Sequence, residues 1–456
     1  MRTTFLFKCY KRSVYSIPGS KINIFAPVPT MQITGKLSNT FRAFKNRNYA
    51  LFFSGQSVSM IGTWMQRTGV SWLVYSITHS PFMLGVTIFA SQFPSFLFSL
   101  FGGILADRYD RYKILLFTQT ASMLQAILLA VLTLTNHYAI WQILVLSAVL
   151  GVINAFDVPA RQPLVHELVS DKADLPNALA LNSSMVNVAR LVGPALSGIV
   201  LGKFGAGICF LINAASFLAV LISLLLMKLP KRIPVLVKKK ITSELAEGFH
   251  YVKNTPALSV TLLLLSAVCL LILPYDTLLP VFAKVIFKGD ATTFGYIFSF
   301  IGLGAICGTL FLASLKPGTD LKAVLLTSTV ILGISLMLFS HTSYFPLAMV
   351  FAVFSGFGAM AQNTICITII QLNADAKMRG RVMGYVALAY FGMLPLGSLL
   401  VGWLSQQIGS QNTLLGQGVI ALVIAGVFAH FLRKDKLNKE EIKGFSEAED
   451  SVLEKL

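Results

Sequence analysis

Gly102-Gly103-Ile104-Leu105-Ala106-Asp107-Arg108-Tyr109-Asp110-Arg111-Tyr112-Lys113 carries the densest group of charges in the first half of the chain, set between two long apolar runs. The run before it, 81 to 106, and the run after it, 114 to 135, are each long enough to cross a bilayer as a helix, which takes ~20 residues. The charged turn is therefore short and lies at one membrane face. The paired glycines Gly102 and Gly103 are expected to let a neighbouring helix approach closely. Asp107 is placed to face the positive N-terminal end of another helix, with Arg108 and Arg111 beside it.

Outward from this hairpin the pattern repeats. Twelve apolar segments are read, at about 49–77, 81–106, 113–135, 139–160, 176–202, 205–229, 256–283, 291–315, 321–341, 344–370, 382–408 and 411–432. Helices are the element that lets segments of this length satisfy their own backbone in lipid, whereas barrel strands need only ~9–11 residues. The expected fold is an all-α polytopic membrane protein. Composition agrees: of 456 residues, 55% are hydrophobic and 12% charged, against roughly 25% charged in a soluble domain, and mean hydropathy is +0.72.

A formal net charge of +18 would raise nucleic acid as a partner on a soluble chain. Here the cations lie between hydrophobic spans, and that class is excluded. Of the 37 Lys and Arg, 32 fall on one side of the twelve-segment arrangement; Lys203, Lys284 and Lys288 fall on the other, and Arg67 and Arg190 lie within spans. This bias puts both termini in the cytoplasm, and the expected location is the cytoplasmic (inner) membrane. Residues 1–40 are basic, contain Pro18, Pro27 and Pro29, lack the apolar core of a signal peptide and read as disordered. Translation starting at Met31 is the expectation. The longest interior connection, 230–255, is a basic linker, read either as an amphipathic helix on the anionic leaflet or as a solvated connector. It divides a first six-helix bundle, 41–229, from a second, 256–432, followed by a cytoplasmic tail, 433–456.

The halves echo each other weakly. Gly102 through Lys113 corresponds to Gly304-x-x-x-Gly308 through Lys316, and Gly193-Pro194 to Leu394-Pro395. Such parallel repeats, related by an axis along the membrane normal, are the plan of rocker-switch transporters that hold substrate between halves near the midplane.

Charges inside spans cost ~2.5–3.5 kcal/mol each on insertion scales and call for a partner or a wet cavity. Gln56, Met60, Thr63, Arg67 and Ser71 share one helical face with Trp64 at its edge, a stripe assigned to the central cavity, the alternative being that Arg67 snorkels to the interface. Asn154, Asp157 and Arg161 share another face near the turn, ending in Asp157-Val-Pro-Ala-Arg161-Gln-Pro163, and an ion-pair network with Arg108 and Arg111 is expected there. Ser183, Asn187, Arg190, Pro194 and Gly198 line a third face; Arg190 lies deep, so Asp157 or an anionic ligand is expected near it, or else Arg190 is a clamp between helices. Asp276 sits between Pro274 and Pro280, two helix breakers that free backbone carbonyls, facing either cavity or outer rim. Ser355, Gln362 and Asn363 offer uncharged hydrogen-bonding groups to the cavity.

Five cysteines, Cys9, Cys209, Cys269, Cys307 and Cys366, have no CxxC spacing and read as reduced packing residues. Six histidines make no HExxH pair, so no metal or cofactor is expected. Thirty-four Phe and 14 Met mostly face lipid or other helices; a minority on cavity faces would make a greasy pocket for bulky amphipathic molecules.

Residues 41–432 resemble the major facilitator superfamily. Gly102 to Lys113 is similar to its signature between the second and third helices, and Arg190-Leu-Val-Gly193-Pro194-Ala-Leu-Ser-Gly198 to the fifth-helix motif of exporters. Gly62-Thr-Trp-Met-Gln-Arg67, Asp157-Val-Pro-Ala-Arg161-Gln and Arg379-Gly-Arg381-Val-Met-Gly384 resemble the branch containing the enterobactin exporter and macrolide efflux proteins. The resemblance implies efflux from the cytoplasm in exchange for protons, with Asp107 latching the outward-facing state against the eleventh helix. Two departures stand out. Ile140 to Ala155 holds no ionisable residue where the superfamily has a fourth-helix arginine tied to proton coupling, and Ala313 or Ser314 stands where an acidic latch residue would be in the second half, so the latch is expected to be one-sided.

The expected function is secondary active export of a small amphipathic organic molecule, a drug or a siderophore, with membrane lipids as surroundings and protons as the counter-ion. A lipid or lysophospholipid flippase of the same fold and a non-transporting receptor or scaffold are the alternatives. No Gly-x4-Gly-Lys-Ser/Thr occurs, and no constellation for an intramembrane enzyme.

Overall fold

The structure, a computed structural model, describes residues 41–169, 171–228, 241–316, 318–375 and 378–430. The segment 1–40 with Met31, the basic run 229–240 of the linker and the tail 431–456 lie outside the described residues. The described helices belong to one compact unit, Ala43–Leu456.

The helices in order are α1 (Arg47–Thr78), α2 (Pro81–Arg108), α3 (Arg111–Leu134), α4 (Ile140–Leu168), α5 (Leu175–Leu226), α6 (Ile241–Asn254), α7 (Pro256–Ile286), α8 (Ala291–Ala313), α9 (Leu321–His341), α10 (Phe345–Asn373), α11 (Arg379–Ile408) and α12 (Ser410–His430). No strand occurs among the described residues. Ten of the helices, all but α1 and α6, are long and apolar enough to cross a membrane. α1 has the length, at 32 residues, but its polar stripe lowers its hydropathy.

Caps fall where local chemistry puts them. Asp110 accepts from Tyr112 N to start α3, and Asp290 and Asp320 start α8 and α9 in the same way. α5 is two arms joined at Gly205, whose φ of 80° and ψ of 177° interrupt the helix; that left-handed φ favours glycine.

Glycines set which helices touch. Gly55, Gly62 and Gly69 recur every seven residues on α1, and each faces the second arm of α5: Gly55 against Ala219 and Ser223, Gly62 against Asn213 and Ser216, Gly69 against Phe210. With that face locked, the opposite face of α1 turns away from the bundle. A buried amide chain reinforces the contact: Asn213 donates to Gln66 at 2.8 Å, Gln66 to Gln125 at 3.0 Å, and Gln125 to the Leu146 carbonyl at 3.1 Å. Gly102 packs on the backbone of Ala155, bringing α2 against α4, whereas Gly103 faces open space. The close approach expected of the glycine pair thus rests on Gly102, because successive residues of a helix point about 100° apart. Gly304 packs on Val353 and Gly308 on Phe357 of α10.

Two seams join the first group of helices, α1 to α5, to the second, α7 to α12. On one, Gly198 of α5 meets Ala291 and Gly295 of α8, and Gly302 meets Arg190 and Leu191. On the other, Gly85 of α2 meets Ser398 of α11, and Gly402 meets Pro81 and Phe82. Both seams lie toward the end away from the Gly102–Lys113 hairpin. The α2–α11 contact continues to Gly392 against the Phe96 ring, beyond which a Cβ on Gly384, Gly380 or Gly103 would meet nothing within 4 Å. The cleft between the two groups therefore opens toward the hairpin end.

α6 packs on the protein. Its Glu247 pairs with Arg381 at 2.5 Å, Gly248 lies against Arg381 and Tyr385, the Tyr251 hydroxyl accepts from Asp375 N at 3.1 Å, and Val252 is buried. The helix assigned to the anionic leaflet is thus partly spent on the α10–α11 turn and the foot of α11, where the Glu247 carboxylate, the Phe249 ring (6.4 Å from Tyr385) and the Tyr251 hydroxyl find partners.

Candidate functional site

α7 is where the chain breaks. It runs as an α-helix to Leu271, passes through a 3-10 stretch at Leu273–Leu278 and ends in a π-helical turn at Phe282–Ile286. Pro274 and Pro280 lack the N–H that would close the ladder. At the break α12 adds a donor: Gln417 Nε2 donates to Leu271 O at 3.1 Å and Ile272 O at 3.2 Å. Gly397 of α11 lets α7 approach at Leu270 and Pro274. The break presents Asp276 to the other half of the molecule.

Arg67 of α1 meets it, with Nη2 3.6 Å from the Asp276 carboxylate and side chains 41% and 21% exposed. Arg67 also lies 5.1 Å from the centroid of the Trp64 ring, and the Arg190 guanidinium lies 5.6 Å from the same ring. Gly193 of α5 permits this, since its α-carbon faces the Trp64 Cβ. Arg190 makes no ion pair among the described residues, and its buried Nε has no hydrogen-bond partner. The Tyr275 and Tyr390 phenols lie within electrostatic range of both Arg190 and Asp276. Tyr390 sits on a second π-helical turn, Ala389–Met393, in α11. Aromatic pairs cross between the halves just beyond the charges: Trp64 with Phe298 at 6.2 Å, and Trp72 stacked on Phe294 at 5.9 Å. Lys284 then lies 6.0 Å from the Trp72 and Tyr75 rings and 3.4 Å from His79 Nε2.

Arg67, Arg190 and Asp276 are thus brought together, with both cations against the Trp64 ring. The expectation that Asp157 partners Arg190 is not met. Asp157 is buried and already saturated, accepting from Thr118 at 2.9 Å and Gln119 at 2.7 Å and pairing with Arg161 at 3.3 Å. The network expected between Asp157 and the hairpin arginines also divides in two. Arg111 is buried and turns to Glu167 at 2.7 Å, Asp107 at 3.4 Å and the Ala106 carbonyl at 3.1 Å, while Arg108 is exposed. Asp107 faces solvent with its side chain 64% exposed. Of the other cavity candidates, Gln56 is buried inside its bundle, Thr63 bonds back to Ser59 O at 2.8 Å, and Ser71 and Asn187 are half-buried. Gln362 is fully buried, donating to Cys366 Sγ at 3.4 Å; its Oε1 and Asn363 Oδ1 have no partner. In this conformation Gln56 and Gln362 therefore line no open surface.

Glu167, Tyr275 and Tyr390 escaped the sequence reading. Glu167 was recoverable as a carboxylate at the charged end of α4, where a buried arginine needs one. Nothing in the spacing distinguishes Tyr390 from the chain's other tyrosines. Among the described residues, no group of three or more His, Cys, Asp or Glu side chains converges as metal ligands would.

A broken α7, two glycine seams and charges held between paired helix groups are features of transporters. Residues 38–455 match the family model described as transmembrane secretion effector, of the major facilitator superfamily. The chain belongs to that family. Among curated proteins, this secretion-effector chain is 29% identical to the staphyloferrin A transporter of Staphylococcus aureus over 86% of its own length and 98% of that protein's. It is 25% identical to the enterobactin exporter EntS of Shigella flexneri, over 86% and 92%. A solved POT family transporter in complex with 5-aminolevulinic acid shares the fold with a TM-score of 0.69 at 13% identity, over 85% of this chain and 96% of that one. The protein is a multi-pass membrane transporter of the drug and siderophore exporter branch of the superfamily, and not an enzyme.

Proposed function

We propose that this chain exports a small amphipathic organic molecule, a drug or a siderophore, from the cytoplasm by alternating access in exchange for protons. The observation that carries the reading is the ion pair between Arg67 and Asp276, which spans the two halves inside a cleft closed at one end and open at the other. A charge pair between moving bodies reports their relative position and is accessible to a solute from the open end.

The twelve-helix plan is part of this proposal. The two arms of α5 count separately, α1 is a span despite its polar stripe, and α6 is the linker between 41–229 and 256–432. The parallel packing of the halves supports it: Gly102 on Ala155 is matched by Gly304 on Val353, and Gly151 on Ser91 by Gly356 on Ile301. With both termini in the cytoplasm of a cell with an inner membrane, the hairpin end is cytoplasmic and the conformation described is inward-facing. The exposed Asp107, paired with Arg111 across its own hairpin, is then the released latch, and Gly102, Gly103, Arg108, Arg111, Asp157 and Arg161 frame it. The cavity set is Thr63, Arg67, Ser71, Asn187, Arg190, Asp276 and Asn363, with Gln56 and Gln362 buried away from it in this conformation. Gly193, Pro194, Gly198, Pro274 and Pro280 serve packing and gating. Similarity to an enterobactin exporter and a multidrug efflux pump supports the outward direction.

A deletion strain, profiled for drug sensitivity and for solutes retained in the cytoplasm, tests the reading. Export predicts retention of at least one organic solute that re-expression of the wild-type chain releases. A strain indistinguishable from its parent under all conditions refutes it. Acidification of proteoliposomes during exchange of that solute tests the proton.

A further inference from the structure

We infer that the cleft takes its substrate by an anionic group, a carboxylate or similar oxyanion, seated on Arg190 and shared with Arg67 across the face of Trp64. The inference rests on the transport reading for its location and names the substrate chemistry that the reading leaves open.

The charge balance at the site is uneven. Two guanidinium groups face one carboxylate, and that carboxylate already belongs to Arg67 at 3.6 Å. Arg190 feels the same carboxylate at a distance but makes no ion pair with it; it lies 5.6 Å from the centroid of the Trp64 ring, and its buried Nε lacks an acceptor. An arginine held in a span without a hydrogen-bonding anion is costly, and a cation–π contact recovers only part of that cost. The Gly193–Trp64 packing and the Gly302–Arg190 backbone contact fix where the arginine stands. What is missing is an oxyanion, and a guanidinium fork matches a carboxylate in geometry as well as charge.

The surroundings extend the argument. Both cations lie against the Trp64 ring, 5.1 and 5.6 Å from its centroid, and the Phe298 ring stands 6.2 Å from it at a tilt of 58°, so a planar apolar body attached to the oxyanion has aromatic surface to lie against. Towards the closed end the next fixed charge is again a cation, Lys284, against Trp72 and Tyr75. From Trp64 to Tyr75 is about 16 Å along α1 at ~1.5 Å per residue. An anion leaving in that direction meets a second positive stop, whereas a cation would meet repulsion at each. Asp276 completes the picture as an internal competitor: an arriving oxyanion displaces it from Arg67, which couples occupancy of the site to the link between the two halves.

The test uses the full chain in nanodiscs of zwitterionic lipid and three probes of one shape: 1-naphthoate, neutral 1-naphthamide and cationic 1-naphthylmethylammonium. Binding is measured by scintillation proximity with empty nanodiscs subtracted. Naphthoate is expected to bind about tenfold to a hundredfold tighter than the amide, the range a charge-assisted hydrogen bond supplies. Arg190→Gln removes that preference while sparing the amide, Arg190→Lys keeps part of it, and Asp276→Asn tightens naphthoate severalfold by freeing Arg67. Equal or tighter binding of the ammonium overturns the inference, as does Arg190→Gln weakening both neutral and anionic probes alike. Should Arg190→Gln fail to fold, looser naphthoate binding in Asp276→Asn overturns it as well. Adding phosphatidylglycerol separates solute from lipid: unchanged naphthoate affinity supports the solute, and displacement assigns the oxyanion to a headgroup and overturns it. The export reading fails separately. A deletion strain that retains no solute sinks export and leaves the naphthoate preference standing, and retained solutes that are all cationic sink the anion site and leave export standing.

Discussion

Replacing Gly295 with alanine is expected to shift the transporter away from the conformation described here. A Cβ at this position would stand 2.7 Å from the Pro194 carbonyl oxygen, 2.8 Å from Gly198 Cα and 3.1 Å from Gly198 N. All three are backbone atoms, so no side-chain rotation relieves the contact, and unstrained carbon contacts need ~3.5–4.0 Å. The α5–α8 seam must part by close to 1 Å. Overpacking of this kind costs ~1–3 kcal/mol, which at 1.4 kcal/mol per tenfold is a shift of about 5-fold to 150-fold toward the state in which the seam is open. A Ser71→Cys reporter in a Cys307→Ser background reads this as labelling by an impermeant maleimide from the outer face. Labelling should accelerate in Gly295→Ala while transport slows. Unchanged labelling with normal transport would mean that the seam does not separate during the cycle, and the alternating-access account of this interface would be wrong. Gly384→Leu at the open end provides the opposite control. A Cβ at Gly384 would meet nothing within 4 Å here, so a larger side chain is accommodated in this conformation, obstructs closure at the hairpin end and slows the same labelling.

Asp107→Asn should leave membrane insertion and melting temperature nearly unchanged, since Asp107 is exposed and the buried Arg111 keeps Glu167 at 2.7 Å, yet lower transport in a vesicle flux assay; full activity would contradict the latch. Arg190→Ala should reduce flux more than Arg190→Lys, and equal flux in the two would point to a purely structural clamp. Asp290→Ala should cost about 1 kcal/mol in detergent melting, as expected for a helix N-cap, with Asp290→Asn close to wild type. The amide of Thr293, opposed by some burial and assisted by the Thr293 hydroxyl and Thr292 amide, holds the Asp290 carboxyl below the usual carboxylate range. A lowered folded pKa stabilises above the unfolded value, ~3.9 for Asp, so the difference between wild type and Asp290→Ala should persist at neutral pH and fade below about pH 4.

The apolar runs, the cationic bias of the connections and the Gly102–Lys113 hairpin were legible without coordinates because they answer to the bilayer. A span must be long, apolar and self-satisfied in its hydrogen bonds, and that constraint acts on each segment separately. Arg67, Arg190 and Asp276 were legible for the same reason, as charges that lipid does not tolerate unpartnered. Their pairing was not. Arg67 and Asp276 are more than 200 residues apart in sequence, and whether Arg190 would meet Asp157 or neither depends on side-chain direction. The Gly55-Gly62-Gly69 face turns α1 so that Arg67 looks across the cleft, Thr118 and Gln119 occupy Asp157, and Pro274 and Pro280 swing Asp276 out of its helix. Composition and periodicity specify how much of a helix must be buried. Which residues meet across the cleft is settled by the angle at which two helices close on one another, and that angle is a property of the packed whole.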